Sequence, residues 1–259
     1  MELIKNAEMF AIKKALEYMD KDPETNLPKL MDWFDRFDVK DTLKVQRDAI
    51  RNVITDKDNN WYKLIMSLWT DINPEVRNTL FQNLIINGCL LGYQRQKENR
   101  EKYNCNVPWA ILMDPTSACN LHCTGCWAAE YGNHMNLTYE ELDEIVKQGV
   151  ELGTYVYLFT GGEPLVRKRD IIRLCEEHPD CVFSTFTNGT LIDEAFAKEM
   201  LRVKNFVPAI SIEGFEEATD SRRGEGTYQK IIRAMEILKE YKLPFGISCC
   251  YTSANAEVI

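Results

Sequence analysis

Three thiols fall within the eight-residue stretch Cys119-Asn120-Leu121-His122-Cys123-Thr124-Gly125-Cys126. Thiolate is a soft, strong metal ligand, so three of them on one loop can fold around a single inorganic object. Three thiolates hold three irons of a [4Fe–4S] cube, which leaves the fourth iron open to a small molecule. A purely structural cluster wants a fourth cysteine, and the next along, Cys175, lies about fifty residues on. Zinc is a second reading: it needs a fourth ligand, which His122 or His134 could supply. A third takes Cys123-x-x-Cys126 as a thioredoxin-like redox pair, but this leaves Cys119 without a role.

The elements that must position these thiols follow from hydrophobic patterning. From Val107 onward, apolar runs at 109–113, 155–159, 181–186, 206–212 and 245–250 alternate with helical stretches near 139–152, 167–177, 193–204 and 227–240. Buried strands alternating with helices make βα units and a parallel sheet, so the fold class is α/β. Thr138-Tyr139-Glu140-Glu141 is a capping box that opens the first of these helices, and Gly153 closes it. The cysteine loop directly follows the first strand, at the carboxyl end where βα barrels build their sites. Gly161-Gly162-Glu163-Pro164 follows the second strand and Thr187-Asn188-Gly189-Thr190 the third. Ser211-Ile212-Glu213-Gly214 ends the fourth, and Arg222-Arg223-Gly224 lies a few residues beyond.

Residues 1–105 read differently, as an all-helical N-terminal domain preceding a barrel domain over 106–259. Leu3, Ala7, Phe10 and Ala11 recur at helical spacing, and Asp22-Pro23 ends that pattern. Shorter apolar-periodic stretches follow near 27–37, 42–55 and 61–70. Asn73-Pro74-Glu75 is a helix start, for a helix running toward Tyr103 with Gly88 and Gly92 as weak points. Trp33, Phe34, Phe37, Trp61, Tyr62 and Trp69 are expected in the core, with a substrate or partner surface as the alternative.

The C-x3-C-x2-C spacing, followed in order by GGEP, TNG, SIEG and a loop arginine, resembles the radical S-adenosylmethionine (SAM) enzymes over roughly 107–259. The resemblance implies a partial (β/α) barrel, with five of six units present in this chain. It implies a [4Fe–4S] cluster on Cys119, Cys123 and Cys126, with SAM chelating the open iron. It further implies cofactor contacts from Gly161, Gly162, Glu163 and Pro164, from Thr187 and Asn188, and from Ser211, Glu213 and Arg223. Arg222 is the equal alternative to Arg223, and Asn255 is a weaker candidate. Two positions depart from the family pattern. Gly125 stands where an aromatic residue commonly precedes the third cysteine, with Trp127 just after it, and Glu213 stands where Asp is usual.

The implied activity is reductive cleavage of SAM to a 5′-deoxyadenosyl radical, which takes hydrogen from a substrate. A ferredoxin or flavodoxin is the implied electron donor. A peptide or protein is the favoured substrate, ahead of a lipid or small metabolite. A non-catalytic SAM- or cluster-binding fragment is the rival. The family barrel usually has six units and the chain stops at Ile259, so a truncated chain is expected.

Composition bounds these readings. With 45% hydrophobic and 27% charged residues among 259, the chain is an ordinary globular one. The net charge of −9 is a poor match for bulk nucleic acid or an anionic membrane. The N-terminus has no apolar signal region, and no window approaches the roughly 18 apolar residues of a membrane span. Nine cysteines cannot all pair within one chain, so a reducing cytoplasm is expected. Cys89, Cys105, Cys175, Cys181, Cys249 and Cys250 lack cluster spacing and are expected to be buried structural thiols.

Overall fold

Asp22-Pro23 stops one helical pattern and starts the next: the Asp22 carboxylate accepts from Thr25 N at 3.2 Å, and Pro23 needs no donor partner in a first turn. This opens α1 (Pro23–Phe37), followed by α2 (Lys44–Thr55) and α3 (Asn60–Thr70). The structure, a computed structural model, describes residues 14–37, 44–253 and 255–257, without the side chains of Phe34, Phe37 and Gln46. The periodicity at Leu3–Ala11 therefore lies outside the described residues. Helices α1 to α3 bury Met31, Ile54 and Tyr62. Arg47 meets Asp35 at 2.6 Å, and Arg51 meets Asp32 at 2.9 Å. The core expectation fails for two aromatics: Trp33 is 45% exposed and Trp61 64%. Trp69 is half-buried, its indole N–H donating to Asp20 at 3.1 Å.

Residue contacts divide the chain into two compact units, one ending at Pro74 and the other starting at Glu75. The sequence boundary at 105 is thus not where the contacts part. The reason is a row of buried amides on the helical stretch formed by α4 (Pro74–Phe81), a π-helical segment (Gln82–Gly92) and α5 (Tyr93–Tyr103). Asn83 donates to Pro179 O and Cys181 O, Asn87 to Asp180 O, and Gln96 to Gly153 O, all within 3.0 Å. These bonds stitch the stretch to loops that precede the second and third strands. The backbones also touch. A Cβ on Gly92 would sit 2.5 Å from Gly153 O and 2.7 Å from Asn87 O. Gly92→Ala is expected to destabilise this unit by about 2–3 kcal/mol, because backbone at a packed contact has no rotamer to give. An unchanged urea midpoint for that variant would contradict the contact.

The five apolar runs form β1 (Ala110–Thr116), β2 (Val156–Gly161), β3 (Val182–Thr187), β4 (Phe206–Ser211) and β5 (Gly246–Ser248). They pair in parallel in sequence order, with Leu112, Leu158, Ser184 and Val207 in register. Between them run α6 (Tyr139–Leu152), α7 (Lys168–Glu177), α8 (Glu194–Val203), α9 (Glu216–Arg223) and α10 (Thr227–Glu240). The capping box at Thr138 and Glu141 forms, and Gly153 takes the left-handed cap (φ 100°). The face carrying Tyr157, Phe159, Phe183 and Phe206 is fully buried. The other face is open, with Leu112 59% exposed. Pro115 falls on the edge strand β1, where a missing N–H costs no ladder bond. No described helix is long and apolar enough to cross a membrane.

Candidate cofactor site

Every motif lands at a strand's carboxyl end, and hydrogen bonds tie them into one frame. The loop after β1 carries Cys119, Cys123 and Cys126 as free, half-buried thiols. Its base is held by the loop after β2: Gly162 N donates to Thr116 O at 2.9 Å, and Glu163 N to Ala118 O at 2.8 Å. A Cβ on Gly162 would lie 2.3 Å from Ala118 O and 2.5 Å from Ser117 O. Only glycine lets these two backbones meet.

Glu163 is 1% exposed and spends its carboxylate on its own chain. Oε1 accepts from Leu165 N at 2.9 Å and from Thr187 Oγ1 at 2.6 Å, while Oε2 accepts from Asn188 N at 2.7 Å. Burial pushes this carboxyl up, against the pull of those donors. The structure therefore makes Glu163 a strut between the loops after β2 and β3. Pro164 starts a 3-10 turn, Pro164–Arg167, directly after it, with Pro164 and Leu165 buried. Asn188 carries the frame onward: its Nδ2 donates to Asn120 Oδ1 at 2.9 Å, and Asn120 Nδ2 donates to Thr190 Oγ1 at 2.9 Å. Asn120 lies between the first two cysteines, and spacing alone gave no signal for this role.

At the end of β4, Glu213 is also 1% exposed. Its Oε1 accepts from Arg222 Nη1 at 2.6 Å and from Arg223 Nε at 3.0 Å and Nη2 at 2.5 Å. Both guanidiniums are thus engaged by one carboxylate. Arg222 reaches further: its Nε donates to Thr124 O at 3.3 Å, and Thr124 N donates to Arg222 O at 2.8 Å. The cysteine loop is pinned from this side as well. Asn255 donates to Glu213 O and Cys250 O, so it braces the backbone here.

Two acceptors at the β4 end of this frame have no protein partner among the described residues. They are the half-buried Ser211 hydroxyl and the buried Glu213 Oε2. Burial raises the Cys119 and Cys123 thiols, and Arg223 and Arg222 pull Cys123 back. Positive charge beside the loop suits a ligand set that must become thiolate. Three free thiols, adjacent guanidiniums, a glycine-lined approach and two unspent acceptors fit a cluster with a small polar ligand. Among the described residues, no three His, Cys, Asp or Glu side chains converge as a single metal ion would require.

The remaining thiols divide against expectation. Cys175 and Cys181 are buried, and burial pushes Cys181 up to about 12. Cys89, on the outward side of the π-helical segment, Cys105, just past α5, and Cys249 and Cys250, just past β5, are exposed.

A parallel βα sheet with a three-cysteine loop after its first strand, braced from the ends of the strands that follow, defines an α/β partial barrel. Residues 113–253 match the Radical SAM superfamily, and the chain belongs to that superfamily. Its members use a [4Fe–4S] cluster and SAM. The chain is 34% identical over 171 residues to a cysteine-type anaerobic sulfatase-maturating enzyme of Clostridium perfringens, covering 58% of this chain and 46% of that one. It is 31% identical over 158 residues to an Fe-coproporphyrin III synthase of Methanosarcina barkeri, covering 58% and 38%. Streptococcus suis SuiB bound to precursor peptide SuiA shares the fold, with TM-score 0.52 at 20% identity over 70% of this chain and 39% of SuiB. The chain spans about half or less of the length of these relatives.

Proposed function

We propose that Cys119, Cys123 and Cys126 ligate a [4Fe–4S] cluster and that the chain cleaves SAM reductively to start a hydrogen abstraction, with a peptide or protein as substrate. When bound and reduced by a ferredoxin- or flavodoxin-type donor, the cluster supplies the electron that splits SAM into methionine and a 5′-deoxyadenosyl radical. The residues of the chain do the positioning. Gly161 and Gly162 let backbone close on the ligand. Glu163, Thr187 and Asn188 hold the loops that form its walls. Ser211 and Glu213 Oε2 offer acceptors to hydroxyl or amine groups, and Arg223, anchored by Glu213, sets positive charge toward a carboxylate. The observation that carries this reading is the frame itself: the loops after β2 and β3 bond to the cysteine loop, and Arg222, held by Glu213 at the end of β4, bonds to it from the other side. A peptide substrate is supported by the sulfatase-maturating relative and by the peptide-bound neighbour. The free thiols suit the reducing cytoplasm.

Anaerobic purification with iron and sulfide reconstitution tests the cofactor. About four irons per chain are expected, as one cubane cluster holds. Zinc without iron would overturn the assignment.

A further inference from the structure

Beside the frame lies a cavity that shares Gly161 and Gly162 with it, but whose Asp114, Trp127 and Tyr131 the cofactor reading does not use. It measures about 540 Å³ and opens between the end of β1 and the segment that follows the cysteine loop. Its volume suits a side chain or small molecule. Its wall is built rather than incidental. Ser117 N donates to Met135 O at 2.8 Å, Met135 N to Ser117 Oγ at 3.1 Å, and Leu137 N to Pro115 O at 3.2 Å. Thr116 Oγ1 donates to Asn136 Oδ1 at 2.5 Å. These bonds fasten the segment against the strand end. On it, Trp127 and Tyr131 stand edge to face, with ring centroids 5.8 Å apart. Both are more than half exposed.

The charge of the cavity is one-sided. Asp114 lines it and makes no hydrogen bond or ion pair among the described residues. Partial burial alone raises its carboxyl, so no cation answers it. No lysine or arginine lines the cavity, and His134 is the only other titratable group there besides Tyr131. The neighbouring Arg167 is committed to Asp170, Pro115 O and Leu137 O. An unanswered carboxylate beside two exposed aromatic faces favours a positive ligand, through charge pairing and cation–π attraction.

We propose that this cavity receives a cationic group of the substrate, an ammonium or guanidinium, with Asp114 as counter-ion and Trp127 and Tyr131 as flanking faces. This deepens the proposed function by naming a substrate class, a chain bearing Lys- or Arg-like groups, and it rests on that reading.

The test uses reconstituted protein and three probes: Nα-acetyl-lysine amide, Nα-acetyl-arginine amide and the uncharged Nα-acetyl-norleucine amide. Binding is read from the Trp127 indole N–H resonance, identified by its loss in Trp127→Phe. Saturable shifts are expected with both cationic probes. Asp114→Asn should weaken them about tenfold, as removal of one charge-assisted contact does. Asp114→Glu should restore most of the binding, and Tyr131→Leu, which leaves the carboxylate in place, should weaken it by a smaller factor. Equal binding of the norleucine probe overturns the proposal. So does displacement of the lysine probe by SAM, which would make the cavity part of the SAM site. Iron content is measured on the same sample. Iron loading without cation binding overturns this inference and leaves the cofactor reading standing. Cation binding on a chain that takes up no iron supports the cavity and overturns the cofactor reading.

Discussion

Cys126→Ala is expected to reconstitute with iron near background, whereas Cys175→Ala is expected to keep about the four irons of a single cubane cluster. The two thiols differ in everything that matters for ligation. Cys126 is half-buried on the loop that also carries Cys119 and Cys123, and its N–H donates to Cys123 O at 3.2 Å. Removing one of three thiolates leaves a cube with two open irons and no spare cysteine on the loop. Cys175 sits on α7 at 1% exposure, and its full burial pushes the thiol well above its ordinary range. A thiol so placed is packing, and its loss costs stability on the order of 1 kcal/mol. Iron and acid-labile sulfide assays on the two variants check this. Equal iron loss in both would show that the ligands are assigned wrongly.

Glu163→Ala is expected to lower stability by about 3–5 kcal/mol, a large share of what a domain of this size has. The magnitude follows from what is left behind. Leu165 N–H, Asn188 N–H and the Thr187 hydroxyl all donate to this carboxylate, and all three residues are buried. Water cannot take over as acceptor, so each orphaned donor costs about 1–3 kcal/mol. Glu163→Gln costs less, about half as much, because one amide oxygen survives while the –NH2 opposes a donor. Urea unfolding of the three proteins measures this directly. A shift within about 0.5 kcal/mol for Glu163→Ala, the range of ordinary surface changes, would mean that the carboxylate is no strut.

Local chemistry was legible from the sequence, and long-range pairing was not. The helices at 139–152 and 227–240 keep their expected bounds, and the first is fixed by caps whose partners lie within a turn. The strands fall where apolar runs meet turn residues, and each motif stands at a carboxyl end as the spacing implied. What stayed hidden depends on partners far along the chain. Asn83, Asn87 and Gln96 look like ordinary polar helix residues, yet they bond to loop carbonyls 57 to 98 residues away. That is why the unit boundary moves from 105 to 74. Glu163 and Glu213 were expected as direct ligand contacts. Their partners at Thr187, Asn188, Arg222 and Arg223 make them frame members first. The Asp114 cavity was invisible for the same reason. Nothing local says that a strand residue and Trp127 will share a wall.

The most direct measurement is 5′-deoxyadenosine formation when the cluster-loaded chain is mixed with SAM and dithionite under argon, beside a Cys126→Ala control. Cleavage of SAM by the wild-type chain and none by the control is the expected result. A full complement of iron with no 5′-deoxyadenosine would contradict the proposed activity.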